Sequence, residues 1–447
     1  MRVSGWQWAI WAVTGCFMVL INIHQIRGDN FVKPTPSVRV SDFSFPLSEV
    51  INNSRPFLRI DLEYRLQRPV YKFVLSNIPY SIRLVDAKTG QEMPVLTESQ
   101  VMEIAVERNT MGFIEEDIKH IALSDELPDE VSSRYKEAFI VEFKGWQSHT
   151  FYIEPVSGEI VTKRYWGWRV FDWMWKFHIM DYDDGANPQN WLIKLLSVLA
   201  LMAFVCGFCF LCFRILCFKK PFAIPAMERK NSRKLNAYMH RFTALVCLAP
   251  VTIWLVTGSY LVWFEGQKPE PIPIQPPEFL VSSEQVVFSN FQFGSSINRA
   301  SVVSRLNNWF VEIEANTPQE AMKNASQIYT LNMQGPVEIN ELLITQSLPF
   351  KPHSFRDSDS FYPYEHRVIS FVDEQNVRHY LDASTASYVG ASNLKSLVDT
   401  WMLRLHFLDF SGEGHFNHLW NKVFAFIFIL LSVTGLIGII QPKGSKG

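Results

Sequence analysis

The stretch FHIMDYDDGANPQN at residues 177–190 returns in altered form as LHFLDFSGEGHFNH at residues 405–418. Both copies hold a histidine, an aspartate three residues later and an aromatic residue directly after the aspartate. Both copies also lead within a few residues into a long apolar segment. The copies lie 228 residues apart and the order of segments around them repeats, which predicts an internal duplication of the chain.

Four segments of the 447-residue chain are almost free of charged residues and hold about 18 to 23 residues each. A helix of that length can cross a hydrocarbon core of roughly 30 Å at about 1.5 Å per residue. One such run could be a buried core helix, but four of them indicate a multi-pass membrane protein. The segments are residues 6–23, 195–213, 242–264 and 423–440.

Basic residues predict the orientation of the chain. Residues 218–240, between the second and third apolar segments, carry six basic residues and one acid. The positive-inside rule puts such a loop in the cytoplasm, so both termini face the cytoplasm and two large segments face the periplasm of a bacterial inner membrane. All six cysteines lie in or beside the apolar segments, so neither predicted lobe contains a thiol. Lobes without thiols cannot form wrong disulfides in an oxidising periplasm. The balance of 42 basic and 44 acidic residues gives no general attraction to nucleic acid.

The predicted fold class is therefore a membrane α-helical protein with four transmembrane helices and two periplasmic α+β lobes. The predicted transmembrane helices occupy residues 1–24, 190–217, 241–264 and 419–440. The predicted lobes, each with an interfacial helix, occupy residues 25–185 and 265–415, and residues 218–240 and 441–447 form a basic cytoplasmic loop and a tail.

Alternation of apolar and polar residues predicts strands in both lobes, such as VYKFVLS at 70–76 and WFVEIEA at 309–315. Helices are predicted near residues 98–108 and in TPQEAMKNASQIYTL at 317–331. The second of these helices would begin with a capping box of threonine and glutamate.

Each lobe ends in a predicted hairpin, FYIEPVSGEIV at 151–161 and HYLDASTASYVG at 379–390. The second hairpin carries Ala383 and Ala386 where a proline and a glycine would be usual, so a different turn is expected there. These hairpins resemble the closing hairpin of PepSY modules, in which an acid-Pro-x-Thr/Ser-Gly turn joins two strands.

The membrane segments resemble the PepSY-associated transmembrane helix family. The resemblance is carried by WQWAIWAVTGCFMVLINIHQIRGDN (6–30), KLNAYMHRFTALVCLAPVTIWLVTGSYLVWF (234–264) and LVDTWMLRLHFLDFSGEGHFNHLWNKVFAFIFILLSVTGLIGI (397–439). Members of that family include bacterial iron-regulated membrane proteins and inner-membrane ferrisiderophore reductases that carry b-type haem, while others have no settled role. The resemblance implies that this chain could be either kind of protein.

Four histidines lie at the edges of the predicted spans, although an interfacial histidine can also simply lie among lipid headgroups. The iron of b-type haem is commonly held by histidines on facing membrane helices. We expect the haem iron to be held by His24, His178 and His406 on the periplasmic side, and one haem fits this pattern better than two. His240, at the cytoplasmic start of the third span, is a further ligand candidate, and His415 and His418 are weaker ones.

Asp181 and Asp409 lie one helical turn beyond His178 and His406. A carboxylate near the Nδ1–H of a ligating imidazole fixes its tautomer and strengthens the ligand. The same aspartates could instead cap the following helices. Trp175 belongs to a tryptophan-rich run at 165–177 that is typical of an interfacial belt, and it is a weaker candidate for packing against haem.

The leading hypothesis is a ferric-chelate reductase that passes electrons through haem b to a periplasmic ferric siderophore. The chain has no flavin or nicotinamide motif, so membrane quinol or a separate reductase would have to supply the electrons. The alternatives are a non-enzymatic PepSY binding or regulatory protein, and an accessory to siderophore or metal uptake. Membrane lipids are partners under every alternative.

Overall fold

The computed structural model describes residues 2–51, 56–183, 185–218, 232–264, 266, 297–305, 308–316, 324–329, 337, 354–358, 368–373, 375–383, 385–410 and 417–440. The chain divides into two compact units. The helical unit comprises Met1–Ile26, Gly167–Lys268 and Leu394–Gly447, and the sheet unit comprises Arg27–Trp166 and Pro269–Asn393.

The helices of the described residues are α1 (Arg2–Leu20), α2 (Ile23–Ile26), α3 (Leu47–Ile51), α4 (Glu98–Arg108), α5 (Trp166–Ile179), α6 (Trp191–Phe218), α7 (Ser232–Val246), α8 (Leu248–Phe264), α9 (Leu394–His406) and α10 (Leu419–Ile440). In the helical unit α1 packs against α10 and α6, α7 packs against α10, and α8 packs against α6 and α9.

Two helices have the length and apolar composition to cross a membrane alone, through Trp191–Phe210 in α6 and Leu419–Gly438 in α10. A third candidate is the pair Leu235–Val246 and Leu248–Phe264, which passes the same test only when its two parts are taken together. Trp6–Leu20 in α1 is apolar but shorter. The membrane character predicted from the sequence is thus supported by two or three candidate spans among the described residues, and four crossings stay a prediction.

The third candidate span is bent by 61° between α7 and α8, where the sequence predicted one continuous helix. Pro250 lies just after the break. Proline lacks the backbone N–H, and its ring clashes with the carbonyl four residues earlier, here that of Val246. Val246 is the last residue of α7, so the bend lies where this clash is expected.

The strands of the sheet unit are β1 (Arg59–Arg65), β2 (Arg68–Asn77), β3 (Tyr80–Asp86), β4 (Ile118–Ser124), β5 (Ala138–Phe143), β6 (Thr150–Ile153), β7 (Ile160–Arg164), β8 (Ile297–Arg305), β9 (Asn308–Asn316), β10 (Asn324–Tyr329), β11 (Ser354–Ser358), β12 (Val368–Val372), β13 (Arg378–Asp382) and β14 (Tyr388–Ser392). They form a six-stranded sheet in the order β10-β9-β8-β1-β2-β3 and two four-stranded sheets, β4-β5-β6-β7 and β11-β12-β13-β14.

The six-stranded sheet joins the two segments that the sequence predicted as separate periplasmic lobes. β1 of the first segment pairs antiparallel with β8 of the second, with Ile60 opposite Val302 and Asp61 opposite Ser301. The Ser301 hydroxyl donates to Asp61 Oδ1 at 2.7 Å, and both side chains are buried. This pairing provides hydrogen-bond partners for the backbone N–H and C=O groups along one edge of β1.

Local sequence patterns predicted some elements well and one wrongly. α4 covers the predicted helix at 98–108, and a capping box between Thr97 and Gln100 starts it. β9 covers the predicted strand WFVEIEA. The helix predicted at 317–331 is wrong over Asn324–Tyr329, which form β10 against β9, while residues 317–323 lie outside the described residues. Pairing along β9 outweighs the weak helical preference of this segment.

The two closing hairpins form the same turn, contrary to the expectation that their sequences raised. In the first, Gly158 has φ 78° and its N–H donates to the Glu154 carbonyl at 2.9 Å. In the second, Ala386 has φ 52° and its N–H donates to the Asp382 carbonyl at 2.9 Å. Hydrogen bonds from Thr385 to the Asp382 carboxylate help to hold the alanine in the left-handed region.

Candidate functional site

Helices α5 and α9 carry two of the predicted ligands, His178 and His406, and end in the same way. Two residues after each histidine, Met180 (φ 55°) and Leu408 (φ 49°) adopt the left-handed conformation. The next N–H in each copy then donates five residues back, from Asp181 to Lys176 at 3.1 Å and from Asp409 to Arg404 at 2.9 Å. These are helix-terminating bonds of the Schellman type, and they hold both histidines in the last turn of a defined helix.

The His178 ring lies against α1. Its Nδ1 lies 3.1 Å from Thr14 Oγ1, and the Thr14 hydroxyl is 2.8 Å from the Ile10 carbonyl one turn earlier. The ring also lies beside Gly15, where a Cβ would be 3.5 Å from His178 Cε1, an ordinary contact distance. The Trp11 indole N–H donates to the His178 carbonyl at 2.9 Å, so α1 binds both the backbone and the ring of this residue.

The His406 ring lies against α8 in the same manner. Its Nδ1 lies 3.0 Å from Thr257 Oγ1, whose hydroxyl is 2.6 Å from the Ile253 carbonyl. A Cβ at Gly258 would lie 3.2 Å from His406 Cε1, so this contact is closer than its counterpart on α1. We use the term Thr-Gly site for a threonine and the following glycine that contact a histidine ring in this way.

A third Thr-Gly site occurs on α10 and contacts His240 of α7. His240 Nδ1 lies 3.1 Å from Thr434 Oγ1 and 3.2 Å from the Leu431 carbonyl. The Thr434 hydroxyl is 2.8 Å from the Leu430 carbonyl, and a Cβ at Gly435 would lie 3.2 Å from His240 Cε1. Three of the four histidines that the sequence analysis singled out as main ligand candidates therefore have the same local environment.

The hydrogen bonds of a Thr-Gly site assign the imidazole tautomer. A threonine hydroxyl has one proton, and here it is directed to the carbonyl four residues earlier in the helix. The hydroxyl oxygen is then an acceptor towards the imidazole, so Nδ1 carries the hydrogen and Nε2 keeps its lone pair. A histidine in this state is ready to bind a metal through Nε2.

His178 and His406 are neutral in this environment and lie near one another. Burial lowers the pKa of His178 to about 3, with a smaller contribution from His406. Burial also lowers the pKa of His406 to about 4, against a hydrogen bond to the Trp254 carbonyl that raises it. Both rings are therefore unprotonated at neutral pH, which is the form that binds metal.

Asp181 and Asp409 take partners other than the two imidazole Nδ1 atoms. Asp181 Oδ2 accepts from the Asn187 N–H at 2.9 Å. Asp409 is buried, and its Oδ1 lies 3.1 Å from His418 Nε2. The neighbours of the His178 and His406 Nδ1 atoms are threonines, which the sequence analysis did not consider.

None of the described contacts brings the remaining predicted residues to the Thr-Gly sites on α1 and α8. The Trp175 indole N–H donates to the Gly185 carbonyl at 2.9 Å. The side chain of His24 and all of His415 lie outside the described residues. Their proposed roles stay predictions.

A sequence signal for the threonines was present. The tripeptide Val-Thr-Gly occurs at 13–15, 256–258 and 433–435, and each copy forms one of the three Thr-Gly sites. The prediction from the sequence rested on the repeated histidines and aspartates, and it did not connect each tripeptide with a histidine on another helix. That connection is made by packing between helices that lie far apart in the chain.

The donors at these two sites are imidazoles, which are common axial ligands of haem iron. Among the described residues no group of three or more histidine, cysteine, aspartate or glutamate side chains could hold an ion. Haem already supplies four nitrogen ligands in its plane, so it needs only one or two side chains from the protein. Two neutral, neighbouring imidazoles with available Nε2 atoms meet that need.

The family resemblance is confirmed by comparison with known proteins. A model of the family described as "PepSY-associated TM region" matches residues 95–278. The matched segment includes the first closing hairpin, α5, α6, α7 and α8. No curated protein matches the chain.

Proposed function

We propose that this PepSY-associated membrane protein binds b-type haem through His178 and His406 and passes single electrons to a ferric siderophore in the periplasm. The observation that carries this proposal is the pair of Thr-Gly sites on α1 and α8. Each site engages the Nδ1 of a partly buried histidine, and the tautomer inferred above leaves a lone pair on Nε2. Bound haem would supply one-electron exchange between Fe(III) and Fe(II).

The protein's own residues would hold the two ligands at fixed positions. Trp11 binds the end of α5 through the His178 carbonyl at 2.9 Å. Asp399 binds α9 to the end of α8, because its carboxylate accepts from the Tyr260 hydroxyl at 2.8 Å and from the Gly266 N–H at 3.2 Å. Ligands on rigid, mutually braced helices keep the geometry that electron transfer requires.

The topology that we propose has four membrane crossings, both termini in the cytoplasm and the sheet unit in the periplasm. The matching ends of α5 and α9 support an internal duplication. His24 remains a candidate third ligand on the same side, and His240 remains a candidate for a second haem. One haem on the periplasmic side is the simpler proposal, because two described histidines serve it.

The substrate and the electron donor are proposed from chemistry and from the family resemblance. Reduction of Fe(III) to Fe(II) weakens the hold of hard oxygen ligands, so iron leaves its chelator. The electron would come from membrane quinol or from a separate reductase. The alternative, a non-enzymatic PepSY binding module or an accessory to metal uptake, makes no use of the histidines.

The test is an optical spectrum of the full-length protein purified from haem-sufficient cells, with haem quantified as the pyridine haemochrome. We expect red protein with a reducible Soret band and strongly lowered haem content in His178→Ala and His406→Ala. The matched control is His120→Ala, which removes an exposed histidine of β4 in the sheet unit. Colourless wild-type protein would support the alternative, and unchanged spectra in both variants would remove the ligand assignment.

The substrate is tested separately with the dithionite-reduced protein. Reoxidation by a ferric hydroxamate or catecholate chelate, followed in the Soret region with an Fe(II) trap present, would support the reductase activity. Protein that binds haem but is not reoxidised by any ferric chelate would keep the haem proposal and exclude the substrate.

A further inference from the structure

The recurrence of the Thr-Gly site is the feature of the helical unit that the proposed function does not yet explain. Three histidines from three different helices contact the second and third residues of a Val-Thr-Gly tripeptide on another helix. In all three, the distance between Nδ1 and Oγ1 is 3.0 to 3.1 Å. Because the same arrangement recurs at three separate helix contacts, we expect it to serve the same role for each histidine.

Helix packing alone would not demand the hydroxyl. A small residue is sufficient for close helix approach, and the glycine of each site provides it. The threonine adds an oriented acceptor, because its own proton is directed to the carbonyl one turn earlier. The partner that most commonly orients a ligating imidazole is a carboxylate, a carbonyl or a water, and here a hydroxyl lies in that position.

We infer that Thr14 and Thr257 are positioning residues that hold the Nδ1–H of His178 and His406, so that each Nε2 faces the iron of bound haem. This inference rests on the proposed function, because it assigns the threonines to the same haem site. A neutral hydroxyl accepts a weaker hydrogen bond from Nδ1–H than a carboxylate would. The two imidazoles would therefore be weaker electron donors to iron than carboxylate-bound histidines, which favours Fe(II).

The two threonines should differ in importance. For His406, the Trp254 carbonyl also interacts favourably with the ring and can keep part of the tautomer preference. For His178, the described hydrogen bond of the ring is the one to Thr14. Loss of the Thr14 hydroxyl should therefore have the larger effect.

The experiment compares Thr14→Val and Thr257→Val with Thr14→Ser and Thr257→Ser in the full-length protein in detergent. Valine keeps the shape and removes the hydroxyl, whereas serine keeps the hydroxyl. The matched control is Thr252→Val in α8, since the Thr252 hydroxyl donates to the Leu248 carbonyl at 2.6 Å and binds no histidine among the described residues. The readouts are the haem dissociation constant, the haem midpoint potential and the ¹⁵N spectrum of histidine-labelled, haem-free protein.

We expect haem affinity to fall by about tenfold or more in Thr14→Val and by less in Thr257→Val, as for other residues that orient metal ligands. Both serine variants and Thr252→Val should bind haem as the wild type does. In haem-free protein, the valine variants should shift the His178 or His406 signal away from the Nδ1–H tautomer. Each signal is assigned by its loss in the corresponding His→Ala variant.

The inference is overturned if the valine variants keep wild-type haem affinity and the same tautomer. It is also overturned if Thr252→Val lowers haem affinity as much as they do, because the hydroxyls would then act on the fold in general. Wild-type protein that binds no haem would refute the proposed function instead. The ¹⁵N spectra of the haem-free protein would then still decide whether the threonines fix the tautomer.

Discussion

The two halves of the helical unit share the threonine contact of their histidine and differ in the partner of the following aspartate. His178 and His406 both lie in the last turn of a helix that ends in the same way, and both contact a Thr-Gly site. The aspartates three residues later differ: Asp181 accepts from a backbone N–H in its own loop, whereas Asp409 is buried beside His418. The comparison teaches that the threonine contact belongs to the shared design, while each carboxylate serves its own loop.

A second pair of equivalent positions lies in the sheet unit. Gly158 and Ala386 occupy the same left-handed place in the two closing hairpins. Glycine adopts this conformation without a steric cost, whereas a residue with a Cβ pays roughly 1–2 kcal/mol. Here the shared feature is the backbone, and the side chain diverges.

The largest difference between the halves is expected from the two aspartates. Asp409→Ala removes the buried carboxylate beside His418, and loss of a buried polar partner costs about 1–3 kcal/mol. Asp181→Ala removes one bond to a loop N–H and should cost about 1 kcal/mol. The measurement is the thermal unfolding midpoint of detergent-solubilised protein, followed by tryptophan fluorescence.

A double variant separates the pair from the rest of the loop. If the contact of Asp409 with His418 carries the effect, Asp409→Ala combined with His418→Ala should be little less stable than Asp409→Ala alone. Equal midpoints for Asp409→Ala and Asp181→Ala would show that the halves do not differ in this respect.

The next largest effect is expected in the two closing hairpins, where Gly158→Ala should lower stability and Ala386→Gly should raise it. Gly158→Ala forces a Cβ into the left-handed region at 2.6 Å from Ile104 Cδ1, so we expect a loss of about 2 kcal/mol. Ala386→Gly removes an existing cost and should stabilise its hairpin by up to about 1 kcal/mol. Urea unfolding of the full-length protein, followed by circular dichroism of the sheet signal, measures both. A destabilised Ala386→Gly would mean that the Ala386 methyl group packs more favourably than its conformation costs.

The smallest predicted difference compares the glycines of the two ligand contacts. A Cβ at Gly258 would lie 3.2 Å from His406 Cε1, closer than ordinary contact, and a Cβ at Gly15 would lie 3.5 Å from His178 Cε1. Gly258→Ala should therefore move the His406 ring and lower haem affinity several-fold more than Gly15→Ala, although both gain roughly 1 kcal/mol in helix preference. Haem titration of the two purified variants measures the difference. Equal affinities would show that the rings can shift without loss of ligation.

Sequence patterns were sufficient for the features that depend on neighbours in the chain. The capping box at Thr97 started α4 where it was expected, and alternation placed β9 correctly. They failed where a distant segment decides the outcome. Asn324–Tyr329 became a strand because β9 lies beside it, and the turn at Ala386 was kept by hydrogen bonds from Thr385.

The candidate site divides along the same line. The histidines could be found in the sequence, because a repeat separated by 228 residues marks His178 and His406. Their partners could not be assigned from spacing, since the obvious neighbours in the chain were Asp181 and Asp409. The threonines lie 164 and 149 residues away in the chain, on other helices.

By itself, the sequence determined a membrane protein that resembles the PepSY-associated family, with a histidine repeated beside apolar helices. Hydropathy and local motifs carry that information because burial in lipid acts on each segment separately. The tertiary structure alone decided that β1 pairs with β8 and that each ring meets a threonine and a glycine of another helix. Those contacts depend on how distant segments pack together, and neighbouring residues in the chain do not encode that packing one segment at a time.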